Sequence, residues 1–408
     1  MSRITACRIC ESKEIYPILD FGNMPLTGRF VKQDQLNDTE QKFPLDVCFC
    51  KNCSLLQITE TVPPSVLFCE DYPYYSSFSD HLLQHSKNNV DGLLAERSLG
   101  SKSLVIELAS NDGYLLKNYV DHGIPVLGID PAEGPAKEAE KVGVSTLIDF
   151  FSKALSLRLA AEGKQADIIH ANNVLAHVAD LNNFVAGIAT LLKDDGVAVI
   201  EVPYVLDLVD HCEFDTIYHE HLCYFSVTAL NHLFTQHDLS LNRVVRLSIH
   251  GGSLRLFVGK HPRVETSVTE LLELEQRQGV DQIQFYQNFS DNVNHVVESL
   301  TALLKDLKAK GKTIAAYGAA AKGSTLINTA NIGVDLIDFV VDKNTHKQGM
   351  YMPGQHIPIY APEMLLERMP DYTLILPWNF TDEILGQQTE YVEKGGQFIV
   401  PIPEAKIL

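Results

Sequence analysis

The sequence predicts an α/β fold with mostly parallel strands, preceded by a small cysteine-bearing head. Three observations predict it. From Ser101 to Leu408, short β-branched runs alternate with helical stretches. Two segments, Leu104–Asp130 and Lys312–Asp342, each read as strand, small-residue turn, helix, strand and acid. Five of the eight cysteines lie in the first 53 residues. The composition is that of a globular chain: 408 residues, 45% apolar and 21% charged, enough for about two to four domains.

The same composition excludes several classes. The longest apolar runs fall far short of the ~20 residues of a membrane span. The N-terminus, MSRITACRIC, lacks the apolar core of a secretory signal, so the expected setting is cytoplasmic. The balance of 33 basic against 52 acidic residues gives a net charge of −19. Such a surface repels polyanions and argues against a nucleic-acid partner, leaving a small molecule held in one local pocket. Nothing in the pattern reads out an oligomeric state.

In the head, Cys7-Arg8-Ile9-Cys10 and Cys50-Lys51-Asn52-Cys53 are two C-x-x-C pairs. Each places two thiolates on one side of a tight turn, and two pairs make a closed, structural S4 zinc site. The 39 residues between the pairs exceed the usual spacing of roughly 15–20, so the connecting segment forms a lobe of its own. Cys48 is a competing ligand, but Cys48 and Cys50 are too close to form the C-x-x-C turn. The intervening FGNMPLTGRF reads as a loop that lies over a neighbouring site. Next comes Asp71-Tyr72-Pro73-Tyr74-Tyr75, in which Pro73 disfavours a helix. Its tyrosines suit either surface packing or presentation to a ligand.

The first unit of the α/β region is the strand Leu104–Leu108, the turn Ala109–Gly113, a helix from Tyr114 to Val120, and a strand Val126–Ile129 ending in Asp130. Asp130 stands where an acid accepts hydrogen bonds from both ribose hydroxyls. The turn carries Ser110, Asn111 and one glycine, Gly113, so it is not a pyrophosphate fingerprint. Glu107, inside the first strand, would repel a pyrophosphate. It suits a ligand that combines a nucleoside with a cation, and S-adenosylmethionine is such a ligand. Asn111 and Gly113 then line its methionine end. Strand four is Ala166–His170, followed by Asn172, Asn173 and His177 just past its carboxyl end, where ligands bind in open α/β sheets. We place Asn172 on the cofactor side and Asn173 and His177 on the substrate side. A fifth strand, Val197–Val202, follows the Asp194-Asp195-Gly196 turn. This order of parts resembles the class I methyltransferase core.

Beyond the fifth strand lies Tyr218-His219-Glu220-His221, the densest chemistry in the chain. The zincin pattern H-E-x-x-H is absent, and no further Cys or His pair is near. A histidine is the natural base at neutral pH, and a neighbouring carboxylate can orient it. In an extended segment His219 and His221 share a face, so spacing does not choose between them.

Toward the C-terminus, His250-Gly251-Gly252-Ser253-Leu254-Arg255 reads most simply as a β-bulge. Val268–Lys310 reads as one long helical region with a stripe of Leu300, Leu303, Leu304 and Leu307. In the second strand–turn–helix unit, the turn at Gly318 and the helix start at Lys322 do not form a Walker motif, but they can hold a diphosphate. The alternative is a nucleotide fold that serves only as scaffold. Lys343, His346 and Lys347 form a basic cluster nearby.

Taken in order, the paired C-x-x-C head, MPLTGRF, DYPYYSSFS, VIELASNDGYLL, HANNVLAHV, YHEHLCYFS and HGGSLR resemble the nucleotide-sugar C-methyltransferases that build branched deoxysugars, of the 3-C-methyltransferase type. The resemblance runs over nearly the whole chain, and YHEHLCYFS and ASNDGYLL are its most specific parts. It implies a zinc-binding domain at 1–70, an S-adenosylmethionine domain at 71–260, and a helical linker with a second Rossmann-like domain at 261–408. It implies a nucleoside-diphosphate 4-keto-6-deoxy sugar as substrate, His221 as base, and Tyr72, His177, Tyr218 and Glu220 around the sugar. Two other functions compete: an O- or N-methyltransferase on another small molecule, and a non-enzymatic zinc-ribbon sensor.

Overall fold

The computed structural model describes residues 2–67 and 75–408. A seven-stranded sheet forms its centre, in the order Ser240–Leu247, Ser253–Gly259, Leu192–Pro203, Ala166–Asn172, Val105–Leu108, Val126–Ile129, Thr146–Leu147. The last five run parallel, and Ser253–Gly259 is antiparallel to both its neighbours. Helices cover both faces, so the parallel strands are apolar without alternation; all four residues of Val105–Leu108 are buried, Glu107 among them. The chain reverses its direction of travel across the sheet between Val105–Leu108 and Ala166–Asn172. That switch point opens a crevice at the carboxyl ends of these strands.

A four-stranded antiparallel sheet carries the head: Ile15–Pro25, Lys42–Cys50, Leu56–Ile58 and Cys223–Tyr224. Its fourth strand comes from immediately after Tyr218–His221. The head is therefore interlocked with the central domain, and this pairing fixes the histidine-bearing loop between them. A third sheet runs Ile359–Tyr360, Val340–Val341, Ile314–Tyr317, Tyr372–Ile375, Gln397–Val400, Lys406–Ile407, with the last strand antiparallel. This is the expected second Rossmann-like unit. No described helix is long and apolar enough to cross a membrane.

Three local expectations are corrected. The helix expected from Tyr114 begins only at Lys117, because Tyr114–Leu116 form a buried turn. The single helical region from Val268 to Lys310 is two helices, Thr266–Gln278 and Ile283–Ala309. Gly279 ends the first in a left-handed cap at φ +75°. In the second, Leu300, Leu304 and Leu307 are buried, and Tyr286 packs its ring 4.6 Å from Phe49 of the head. The glycine pair is no β-bulge. Gly251 ends the short turn Ile249–Gly251 and Gly252 caps it, with φ of +95° and +143°, and the carboxylates of Glu213 and Asp207 occupy the space a Cβ would need.

Candidate active site

The crevice is lined by three acids. Asp130 accepts the backbone N–H of Asn111 (2.9 Å) and of Ala132 (2.8 Å), which bends the chain past the strand end and holds Asn111 at φ +49°. Glu107 is buried in the adjacent strand, and burial first, then the charges of Asp130 and Asp112, raise its carboxyl well above the usual range. Its Oε2 has no hydrogen-bond partner among the described residues. Burial raises Asp130 as well. A cation entering here would relieve this repulsion, and a ligand bearing both a ribose and positive charge fits the donor set. Asn172 ends strand four with its Oδ1 buried and without a described partner. Gly113, at φ +76°, sits against Val142 and Val144.

Ser110, a cofactor-side candidate in the same turn, is enclosed. Its hydroxyl is fully buried against Gly128 of the next strand, where any Cβ would collide with it. It packs against the sheet, and its oxygen has no hydrogen-bond partner among the described residues. Asp112, not singled out from the sequence, is the more telling neighbour. The backbone N–H of Ser76 donates to Asn111 Oδ1 (2.9 Å) and that of Ser77 to Asp112 Oδ2 (3.1 Å), which ties the end of the tyrosine-rich stretch to the cofactor turn. Tyr72 itself lies outside the described residues.

The Tyr218–His221 segment is a tight turn, closed by the N–H of His221 donating to Tyr218 O at 2.9 Å. Because it is not extended, the two histidines diverge. His219 is buried, and its Nε2 lies 3.2 and 3.1 Å from the carbonyls of Phe43 and Pro44 in the head. Burial lowers its basicity, so it is a neutral strut. His221 is half-buried beside the loop that follows strand four. Its Nδ1 donates to Thr216 O at 2.9 Å, which leaves a lone pair on Nε2, and Nε2 meets the hydroxyl of Tyr218 at 3.0 Å. The ring of His177 lies 4.8 Å from that of His221, edge to face. The N–H of Leu222 donates to Ala176 O (2.8 Å), joining the two loops. Burial pushes His177 down to about 4, so it is neutral at pH 7.

The backbone of Glu220 hydrogen-bonds the His177 ring, while its carboxyl contacts neither His219 nor His221. Among the described residues its carboxyl makes no hydrogen bond or ion pair, and burial alone pushes it up to about 7. It lies against Gly28 of the MPLTGRF loop, which does reach over this site. Asn173, in the left-handed region at φ +54°, directs its N–H to Glu201 O (2.8 Å) and starts the loop to His177.

In the head, the four sulfurs of Cys7, Cys10, Cys50 and Cys53 lie within 4.8 Å of one another. Cys7–Cys53 and Cys10–Cys50 are 3.4 and 3.5 Å apart. Sulfurs about 2.3 Å from a tetrahedral zinc stand roughly 3.8 Å apart, so the set fits that ion. The two turns are copies: the N–H of Glu11 donates to Cys7 O and that of Ser54 to Cys50 O, with both donors left-handed at φ +57° and +61°. Cys48 lies in a strand outside the cluster, its thiol pushed up to about 12 by burial.

In the third sheet, Gly318 (φ +88°) is pressed against the ring of Pro377. Lys322 lies over the ring of Trp378 at 4.6 Å and faces the buried acids Glu213 and Asp215. Any anion bound at Lys322 competes with these carboxylates. Asp342 accepts the N–H of Ala319 and of Asn344, both at 2.7 Å, in the same way that Asp130 holds its own turn.

A sheet of this order with an acidic cradle at its switch point defines an S-adenosylmethionine-dependent methyltransferase. Three family models match successive parts of the chain: one described as "Putative zinc binding domain" over residues 7–68, a methyltransferase domain over 82–244, and a C-methyltransferase C-terminal domain over 248–403. C-methyltransferase NovU of Streptomyces niveus is 35% identical over 408 residues, covering 99% of this chain and 97% of that one. Among solved structures, magnesium protoporphyrin IX methyltransferase from Synechocystis is similar over 44% of this chain and 83% of its own, at 18% identity and a TM-score of 0.36. An O-methyltransferase family protein from Burkholderia thailandensis is similar over 46% and 59%, at 17% identity and a TM-score of 0.35. The chain belongs to the C-methyltransferase family.

Proposed function

We propose that this C-methyltransferase adds a methyl group to C3 of a nucleoside-diphosphate 4-keto-6-deoxy sugar through an enolate formed by His221. The observation that carries this reading is the fixed tautomer of His221. With Nδ1–H given to Thr216 O, the Nε2 lone pair faces the crevice beside the Tyr218 hydroxyl. Carbon is a nucleophile only as a carbanion equivalent, and a ketone at C4 acidifies the C3 proton. A 4-keto sugar entering between the rings separates the Tyr218–His221 contact. Nε2 then takes the C3 proton, and the C–H electron pair moves into the C3–C4 bond. The charge arriving on the C4 oxygen meets the Tyr218 O–H, with the neutral His177 ring alongside. S-adenosylmethionine, when bound, supplies an electrophilic methyl on a sulfonium. Glu107, Asp112, Asp130, Asn111 and Asn172 hold and orient it against the enolate face. Glu220 sits between the sugar and the Gly28 loop, placed to donate or accept at a ring hydroxyl.

In this reading the divisions fall at 1–70, 71–260 and 261–408, with the head closing the site. The sugar's nucleotide lies toward Asn173 and the third sheet, where Gly318 and Lys322 are the diphosphate candidates. A four-thiolate head suits a reducing, cytoplasmic setting. The test is incubation with S-adenosylmethionine and a panel of nucleoside-diphosphate 4-keto sugars, with products read by mass and NMR. The reading expects one added methyl on carbon adjacent to the keto group. Methyl transfer only to oxygen or nitrogen, with every keto sugar refused, would overturn it.

A further inference from the structure

The turn that orients His221 is gripped from the third sheet. Residues Phe214–Thr216 form a short helical turn against the helix Ala321–Thr329. Thr325 Oγ1 donates to Ile217 O at 3.3 Å, and Trp378 Nε1–H donates to Asp215 Oδ2 at 2.8 Å. Asp215 is fully buried, and its Oδ1 has no described partner. Lys322 lies over the same indole ring at 4.6 Å. The next carbonyl along the turn, Thr216 O, is the one that accepts His221 Nδ1–H, and Thr216 Oγ1 locks the turn by donating to Glu213 O at 2.8 Å. One indole N–H therefore stands a single residue from the group that sets the tautomer of His221. A buried carboxylate is unfavourable unless partners hold it, and here the Trp378 N–H and the nearby Lys322 charge are such partners.

We propose that Trp378 and Asp215 are positioning residues for His221, a clamp by which the C-terminal domain fixes the ring that takes the substrate proton. The inference rests on the reading of His221 as base. Without the clamp the turn shifts, the Nδ1–H loses its fixed acceptor, and both tautomers are populated. Misplacement by about 1 Å is enough to lower turnover about a hundredfold.

Trp378 is the single tryptophan of the chain, so its fluorescence reports the clamp directly. The experiment compares Trp378→Phe, Asp215→Asn and Asp215→Ala with the full-length wild type. It reads the His221 tautomer by ¹⁵N NMR of histidine-labelled protein, turnover on the keto-sugar panel, and S-adenosylmethionine affinity. Trp378→Phe keeps a ring for Lys322 but loses the N–H. The expected result is a mixed His221 tautomer, turnover down about tenfold to a hundredfold, and unchanged cofactor affinity. Asp215→Asn, which retains an oxygen for the indole, is expected to keep more activity than Asp215→Ala, with a smaller change in emission. A wild-type tautomer and turnover in folded Trp378→Phe overturn the clamp. Full turnover in His221→Ala overturns the base reading separately, whatever Trp378→Phe shows.

Discussion

The hydroxyl of Tyr218 lies 3.0 Å from Nε2 of His221, while Nδ1 of the same ring donates to Thr216 O at 2.9 Å. A neutral imidazole has one donor and one acceptor nitrogen, so this pair of contacts assigns both. In the proposed mechanism this stations the tyrosine at the lone pair that takes the proton, within reach of the oxygen that gains charge. Tyr218→Phe is expected to lower turnover by about 10²-fold at unchanged S-adenosylmethionine affinity. Single-turnover methyl transfer checks it; a wild-type rate would show that the hydroxyl is idle.

Much of this arrangement was legible in the sequence, because its signals are local. Each C-x-x-C turn closes within five residues, and the Asp130 cradle follows from one strand–turn–helix–strand unit. What was not legible depends on residues far apart in the chain. Spacing alone does not tell His219 from His221, and only the resemblance prefers His221; the tight turn and the carbonyls of Phe43 and Pro44 place the two rings in different surroundings. Gly251 and Gly252 make room for Glu213 and Asp207, about 40 residues away. The surroundings of Lys322 are equally non-local: Trp378 and the buried acids Glu213 and Asp215 come to it from distant parts of the chain.

Asp130 holds the cofactor turn and, in the proposed pose, the ribose. Asp130→Ala is expected to weaken S-adenosylmethionine binding about tenfold or more, the usual worth of hydrogen bonds to a charged group. Sugar-nucleotide binding should change little. Calorimetry with each ligand separates the two, and an unaltered cofactor affinity would remove Asp130 from the site.

One zinc per chain is expected from the Cys7, Cys10, Cys50 and Cys53 cluster. Cys50→Ser together with Cys53→Ser should abolish it and destabilise the head. The fourth strand of that sheet leads directly out of the His221 turn, so activity should fall as well. Elemental analysis reads the metal, and full retention after both changes would refute the assignment.

Burial raises Glu220 from its ordinary value to about 7. The folded state therefore holds a proton that the unfolded chain releases near its ordinary carboxylate value. The sign follows: stability from this group is fully present below the unfolded value and is lost as pH rises through about 7. Glu220→Gln should be more stable than wild type above that pH, by an amount on the order of 1 kcal/mol, and nearly equal to it in acid. Thermal unfolding across pH reads the difference, and parallel curves at every pH would contradict the burial argument.

The most direct test of the account is solvent exchange of the substrate C3 proton in deuterium oxide, with S-adenosylhomocysteine in place of the methyl donor. NMR follows the C3–H signal of a bound nucleoside-diphosphate 4-keto-6-deoxy sugar. Wild type is expected to exchange that proton without methylation, His219→Gln to exchange it as long as the head stays folded, and His221→Ala to lose exchange by about 10²-fold or more while still binding both ligands. Exchange that persists undiminished in His221→Ala would contradict the assignment of His221 as the base.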